Sequence, residues 1–316
     1  MAAGRRAIEA LVVIGGSTAS GKSALALALA RELGGVVVNA DSQQLFADVP
    51  LLTARPTPAD EAAVAHRLYG CLGAAEQPSV GRWLALVEPV LAAARAEGRP
   101  AIVVGGTGLY LHALLRGIPA MPEVPAALRA RLRAWAATVP AGELHARLLA
   151  CDPDMAARLA PTDRQRALRA LEVVEATGRS LSTFQALPSR TIDLPGRRYG
   201  VALVPPPAAV NQRIEGRLEA MLDSGALAEV SGLLTRHPGL EYLPIAKVQG
   251  LRELEAPGAD GGELGRARSM IAARTRQYAK RQRTWFRHQL PELRPVESVV
   301  QNDQAFAAVA AWFGSR

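Results

Sequence analysis

The segment Gly16-Ser17-Thr18-Ala19-Ser20-Gly21-Lys22-Ser23 fits the pattern GxxxxGK[ST], and no other feature constrains the fold of this chain as tightly. The pattern works only between the end of a strand and the start of a helix. Its glycines turn backbone N–H groups inward around phosphate oxygens, and the helix that follows aims its positive end at them. Both flanks fit: Leu11 to Gly15 (LVVIG) is a short β-branched apolar run that reads as a buried parallel strand, and Ser23 to Leu33 has helical periodicity. Lys22 adds a mobile charge and the Ser23 hydroxyl is a ligand for Mg²⁺, so the loop is expected to hold a di- or triphosphate.

Three further runs, Gly35 to Asn39 (GVVVN), Ala101 to Val104 (AIVV) and Tyr199 to Val204 (YGVALV), resemble the first strand, and helical patterns such as Trp83 to Glu97 separate them. This alternation predicts an α/β fold, a P-loop core whose parallel sheet is flanked by helices. Between the third and fourth runs lies a long Ala-, Leu- and Arg-rich region without a convincing strand, most of it after the turn Pro119 to Pro125, and it reads as a helical insertion domain. The expected division is residues 1–118 and 199–316 for the core with its C-terminal helices, and residues 119–198 for the insertion. Within the insertion, Asp163 to Thr177 puts Ala167, Ala170, Leu171 and Val174 on one helical face, with Gln165 and Arg169 opposite and Arg166 at the rim. Near the C-terminus Leu264, Ile271, Tyr278 and Trp285 recur every seven residues in a helical pattern that ends at Gln289.

A length of 316 residues suits about two domains of roughly 150 residues. With 49% hydrophobic and 21% charged residues, wholesale disorder, collagen-like and coiled-coil structures are excluded. The apolar stretch Ala24 to Ala30 stops at Arg31, far short of the roughly 20 residues that cross a bilayer. Arg5 and Arg6 precede an apolar segment that enters the glycine loop at Ile14 instead of a cleavage site, so a cytoplasmic protein without a membrane anchor is expected. Cys71 and Cys151 stand apart without ligand-spaced partners, and neither a disulfide framework nor a zinc site is expected. The net charge of +8 fits a polyanionic partner.

An ordinary phosphate-loop NTPase ends a neighbouring strand in an acid that holds the metal. Here AIVV runs into Gly105-Gly106-Thr107-Gly108, and the acid in a comparable place is Asp41, followed by Ser42, Gln43 and Gln44. A GTPase is not expected: Asp193-Leu194-Pro195-Gly196 matches DxxG, but no NKxD accompanies it. Asp41 and Thr107 follow the C-terminal ends of strands, where ligands bind in open α/β sheets. A carboxylate there takes a proton from a nucleophile, and a hydroxyl there supports an oxygen leaving with the phosphates. The plainer alternatives are a helix cap for Asp41 and a completed turn for Thr107.

Two stretches concentrate arginine. The insertion carries Arg129, Arg131, Arg133, Arg164, Arg166 and Arg169; near the C-terminus Arg274, Arg276, Lys280, Arg281, Arg283 and Arg287 fall in an acid-free stretch interleaved with Tyr278, Trp285 and Phe286. Cations that track phosphates beside aromatics that stack on unpaired bases suit looped RNA. The same pattern also describes a solvated helical face with its aromatics in the core.

Further stretches are ADSQQLF (Ala40 to Phe46), TARPT (Thr53 to Thr57), VVGGTGLY (Val103 to Tyr110), LRARL (Leu128 to Leu132), CDPDMAARL (Cys151 to Leu159), DRQRALRALEV (Asp163 to Val173) and TRQYAKRQRTWFR (Thr275 to Arg287). With the phosphate loop, and in this order over nearly the whole chain, they make the sequence resemble the tRNA dimethylallyltransferases, also called tRNA isopentenyltransferases. The resemblance implies transfer of a dimethylallyl group from dimethylallyl diphosphate to N6 of the adenosine 3′-adjacent to the anticodon, with Mg²⁺. It implies that the phosphate loop, Gly16 through Ser23, grips the prenyl diphosphate together with Arg166, that Asp41 is the general base, and that Thr107 supports the leaving diphosphate. It further implies that the tRNA anticodon stem-loop meets Asp41, Ser42, Gln43, Gln44, Thr107, Arg129, Gln165, Arg166, Ala167, Leu168, Arg169, Lys247, Arg252, Lys280, Arg281, Arg283 and Arg287. Ser17 replaces the usual proline, Phe46 a tyrosine, and Gly250-Leu251 a Gly-Tyr pair; the first two lose a fixed φ and a hydroxyl.

The implied chemistry is coherent. An aniline-like exocyclic amine is a poor nucleophile and gains from a carboxylate that accepts its proton, while Mg²⁺ and Lys22 neutralise the departing diphosphate. An adenine stacked in a loop must also be extruded, at a cost of a few kcal/mol that backbone contacts offset. The rival readings are a P-loop kinase of a small metabolite, a prenyltransferase of free adenine nucleotides, and a non-catalytic RNA-binding module switched by a nucleotide. Nothing in the sequence calls for an obligate interface, and a monomer is expected.

Overall fold

The computed structural model describes residues 10–255, 261–297 and 303–315; Arg5 and Arg6 lie outside them. In chain order the strands among the described residues are β1 (Ala10–Gly16), β2 (Val36–Asn39), β3 (Ala65–Arg67), β4 (Ala101–Gly105), β5 (Ile118–Pro119), β6 (Ser189–Arg190), β7 (Arg197–Leu203) and β8 (Arg294–Val296). Six of them form one sheet in the order β3-β2-β4-β1-β7-β8, and every pairing in it is parallel. β1 is buried at all its positions because successive side chains serve opposite layers. Leu11 and Val13 join one apolar cluster, whereas Ala10, Val12 and Ile14 join the cluster on the other face. A strand covered on both sides reads as a continuous apolar run, which is why its sequence shows no alternation.

The edge strands β3 and β8 escape a sequence reading. Each has three residues, AHR and RPV, too few and too polar for a periodic signal, and a proline is tolerated at an edge where one row of N–H groups is unpaired. Register then decides where the loops emerge. Gly15 pairs with Gly105 and Asn39 with Val104, so the loops that follow β1, β2 and β4 leave adjacent strands at the same end of the sheet.

The chain divides into two compact units, with boundaries between Leu115 and Arg116 and between Thr191 and Ile192. The expected limits of 119–198 differ at both ends. β5 and β6 pair antiparallel, joining the entering and leaving segments of the smaller unit, and each is two residues long, so no strand pattern betrays them. Ile192 packs into the core of the larger unit and β7 already begins at Arg197. The smaller unit is otherwise helical, with helices Ala126–Thr138, Ala141–Cys151 and Arg164–Thr177 as its main elements. In the last of these Val173, not Val174, completes the buried face with Ala167, Ala170 and Leu171. Cys71 and Cys151 are both free and exposed. No helix among the described residues is long and apolar enough to cross a membrane.

Candidate active site

The phosphate loop leaves β1 and turns into the helix Lys22–Leu33 through Gly21, whose φ of 92° only glycine adopts without strain. Ala19 also takes a left-handed φ, 57°, a conformation that costs an alanine roughly 1 kcal/mol and persists because its surroundings impose it. Ser17, Ser20 and Lys22 are buried, and the Lys22 Nζ donates to the Ser17 carbonyl at 3.2 Å. Burial pulls the Lys22 pKa down to about 8; the nearby Asp41 carboxylate opposes that shift and the Arg217 guanidinium adds to it. Two arginines one turn apart on the helix Pro207–Asp223 hold the loop from outside. Arg213 donates to the Ser20 carbonyl at 3.3 Å, and Arg217 donates to the Thr18 hydroxyl at 3.2 Å and to the Thr53 carbonyl at 3.3 Å. Burial also lowers the Arg217 pKa, although a guanidinium stays charged.

Asp41 follows β2 in a turn set by Asn39, which is fully buried. The Asn39 Oδ1 accepts the Asp41 N–H at 2.8 Å, and its Nδ2 donates to the carbonyls of Asp41 and Leu68, both at 3.0 Å. The Asp41 Oδ1 accepts the Gln43 N–H at 3.1 Å, leaving Oδ2 without a hydrogen-bond donor among the described residues. Thr107 ties the turn after β4 to the same segment: its Oγ1 accepts the Ser42 N–H at 2.9 Å and lies 3.2 Å from the Ser42 hydroxyl. Trp83 fixes the base of the turn by donating from Nε1 to the Asn39 carbonyl at 2.8 Å, while its ring stacks on Tyr110 at 4.8 Å.

These groups meet in one pocket. Its polar end is lined by Thr18, Lys22, Ser23, Asp41 and Arg217. Its walls are Leu52, Ile214, Leu218, Met221 and Ile271, and Gln43, Gln44, Thr53, Ala54, Gln249, Thr275 and Tyr278 complete the lining. Thr107 is not part of it; its hydroxyl is spent on Ser42. The pocket sits between two helix faces, one carrying Ile214, Arg217, Leu218 and Met221, the other Ile271, Thr275 and Tyr278 at i, i+4 and i+7 of the helix Gly261–Gln289. A cationic, hydroxyl-rich end joined to an apolar channel fits an anion with a short hydrocarbon tail.

The long helix Gly261–Gln289 approaches the loops closely. A side chain at Gly108 would run into the Trp285 ring, so the glycine after Thr107 permits packing that any larger residue would block. Gln282, nearly buried, accepts the Thr18 N–H at 2.8 Å and donates to the Gly106 carbonyl at 2.8 Å. The solvent side of this helix distributes its cations over two clefts. Arg274, Gln277 and Arg281 face Lys247, Gln249 and Arg252 across one; Arg276, Lys280 and Arg283 line the other with Ser17 and Asn211. Arg274 and Arg276 are ion-paired with Glu253 and Glu215, and Arg287 is exposed.

Comparison with known proteins bears on this pocket. The sequence pattern of the family described as IPP transferase matches residues 44–289. The chain belongs to that family. A tRNA dimethylallyltransferase of Rhodospirillum rubrum is 49% identical over 282 residues, spanning 89% of this chain and 86% of the relative. One from a Methylobacterium species is 51% identical over 285 residues, spanning 88% and 90%. Among solved structures, the full-length tRNA isopentenylpyrophosphate transferase of Bacillus halodurans superposes with a TM-score of 0.67 at 27% identity, covering 97% of this chain and 96% of its own. A eukaryotic dimethylallyltransferase acting on tRNA gives a TM-score of 0.77 at 26% identity, covering 98% and 80%.

In this IPP transferase the smaller unit treats its sequence-predicted residues unequally. Gln165 and Arg166 are exposed, and Arg166 lies 3.6 Å from the Asp163 carboxylate. Ala167 is 2% exposed and packs in the core of that unit, so its side chain is not presented to a ligand; Leu168 is packed against the same core. Arg129 and Arg169, with Arg133, surround the buried Glu172 carboxylate at 3.9, 3.2 and 3.4 Å, while Arg131 and Arg147 take Glu175. The arginine-rich look of this segment hid two acids that neutralise part of it. Reading the sequence missed Arg213, Arg217 and Thr275 as site residues, whereas Gln249, Tyr278 and Gln282 fall in stretches read as meeting RNA and not as groups that line or order this pocket. Arg217 carries one visible signal, a charge beside the apolar stripe Val210, Ile214 and Leu218 of an otherwise amphipathic helix.

Proposed function

We infer that this enzyme transfers the dimethylallyl group of dimethylallyl diphosphate to N6 of the adenosine 3′-adjacent to the anticodon of a tRNA, releasing diphosphate. The observation that carries the reading is the single pocket in which a phosphate loop, the cations Lys22 and Arg217, the carboxylate Asp41 and an apolar wall converge. The diphosphate takes the polar end and the five-carbon chain lies against Leu52, Leu218, Met221 and Ile271. The adenosine amine attacks the carbon bearing the diphosphate; the new C–N bond forms as the C–O bond breaks. Asp41, held by Asn39 with Oδ2 open, accepts the proton from N6. Lys22 and Arg217 hold the departing diphosphate. Thr107 acts through Ser42, keeping the Asp41 turn in place.

The residues present suit Mg²⁺ carried in with the diphosphate. No group of three or more His, Cys, Asp or Glu side chains able to hold a metal exists among the described residues, whereas Ser23 lines the pocket, and Mg²⁺ keeps much of its shell as water and substrate oxygen. When bound, the ion offsets charge on the diphosphate. The two basic clefts flanking the helix Gly261–Gln289, with Lys247, Arg252, Lys280, Arg281 and Arg283, and the exposed Arg287 support docking of the anticodon stem-loop; the exposed Gln165 and Arg166, with Arg129 and Arg169, are assigned to RNA contact within the smaller unit by itself. A cytoplasmic, monomeric enzyme suits a tRNA substrate.

The test is incubation with Mg²⁺, unmodified tRNA and labelled dimethylallyl diphosphate, followed by digestion of the RNA. Label in the adenosine beside the anticodon is expected. Asp41→Asn is expected to lower turnover about 10²- to 10⁴-fold with tRNA affinity nearly unchanged. Consumption of ATP with small metabolites and no prenyl transfer would support a kinase instead.

A further inference from the structure

Gln282 lies in the middle of a basic stretch, between Arg281 and Arg283, yet it does not share their surroundings. It is 5% exposed, while Arg281 is exposed and stands over the Tyr278 ring at 5.7 Å. Its amide makes two hydrogen bonds of opposite sense, accepting from the Thr18 N–H and donating to the Gly106 carbonyl, each at 2.8 Å. Thr18 lines the polar end of the pocket, and Gly106 immediately precedes Thr107, whose hydroxyl orders Ser42 beside Asp41. Tyr278, one turn back, lines that pocket together with Gln43. Gln282 is thus the point at which the loop after β1 and the turn after β4 are joined.

We propose that Gln282 is a positioning residue for prenyl transfer, holding the phosphate loop and the Gly106–Thr107 turn at the spacing that places the donor against Asp41. The proposal rests on the reading that the phosphate loop holds the donor diphosphate. Only a primary amide serves both partners. A carboxylate still accepts from Thr18 but turns an acceptor toward the Gly106 carbonyl, and a thioether of similar length serves neither. Two backbone groups, the buried Gly106 carbonyl and the part-buried Thr18 N–H, then lose their partner together, and displacement of reacting groups by about 1 Å costs up to about 10²-fold in rate.

The experiment uses the full chain with Gln282→Met and Gln282→Glu, reading kcat, the KM for donor and for tRNA, the affinity for inorganic diphosphate by calorimetry, and the unfolding midpoint. Gln282→Met is expected to lower kcat by about 10- to 100-fold with the KM for tRNA unchanged, at temperatures where the variant is fully folded. Gln282→Glu, which keeps one of the two bonds, is expected to lose less. Wild-type kcat in both variants overturns the proposal. So does a loss confined to the KM for tRNA, which would make Gln282 an RNA contact, or a lowered unfolding midpoint with kcat per folded molecule intact. If Gln282→Met does not fold, the kcat of Gln282→Glu decides. Failure of the parent reading shows separately: Lys22→Ala would bind diphosphate as tightly as the wild type.

Discussion

The buried amide of Asn39 fixes Asp41 from both sides, accepting its N–H at 2.8 Å and donating to its carbonyl at 3.0 Å. A third bond, to the Leu68 carbonyl, anchors the pair to the loop after β3. Asn39→Ala leaves three part-buried backbone groups without their partner and is expected to cost about 3 kcal/mol in chemical denaturation. Asn39→Asp fits the same space but cannot donate to either carbonyl, so it should be destabilised too, and an unchanged denaturation midpoint would remove Asn39 as the anchor.

Lys22 links donor binding to pH. Its pKa in the folded protein is about 8 against 10.5 for a free lysine, so between those values the unfolded chain holds a proton that the folded chain lacks. Stability attributable to this group therefore rises with pH across that window. A bound diphosphate favours the ammonium and reverses the shift. Calorimetry near pH 9 in buffers of different ionisation enthalpy should detect proton uptake on diphosphate binding, and Lys22→Met should abolish it.

Arg217 makes its two bonds to Thr18 and Thr53 with its guanidinium inside the pocket. Loss of a charge-assisted contact to an anion is worth about 1.5–3 kcal/mol, so Arg217→Met should weaken donor affinity by roughly 10- to 100-fold. Arg217→Lys should recover only part of it, because an ammonium cannot span both partners. Equal donor affinity in all three proteins would place the diphosphate elsewhere.

Met221 follows Arg217 by one helical turn, about 6 Å, and lines the apolar part of the pocket. That distance leaves room for a single five-carbon unit. Met221→Ala should admit longer chains, raising kcat/KM for geranyl diphosphate relative to dimethylallyl diphosphate by about tenfold, since each added buried methylene is worth about 0.8 kcal/mol. An unchanged ratio would mean that another wall sets the length.

Glu172 gathers Arg129, Arg133 and Arg169 around a buried carboxylate. The arginines are partly solvated, so Glu172→Gln should cost only about 1–2 kcal/mol, and the loss should be confined to the smaller unit. Hydrogen exchange should quicken in the helix Arg164–Thr177 while β1 stays protected; equal change in both would show that the units unfold together.

What the sequence determined by itself is local. The phosphate loop was legible because strand, glycine turn, lysine and helix start are contiguous, and Asp41 because the end of an apolar strand is where a parallel sheet presents its ligand groups. The alternation of apolar runs with helical patterns carried the expectation of an α/β core, and the parallel sheet agrees with it. Tertiary structure decided the rest. Gln282 reaches Thr18 across 264 positions and Arg217 reaches it across 199, and no periodicity records such a pairing. The insertion shows the converse limit: its arginines look alike in sequence, but the buried Glu172 and the partly buried Glu175 separate those held by an acid from those left to solvent. Burial and partner identity are properties of the packed chain, because hydrogen bonds and ion pairs form between groups that folding brings together, whatever their distance along the backbone.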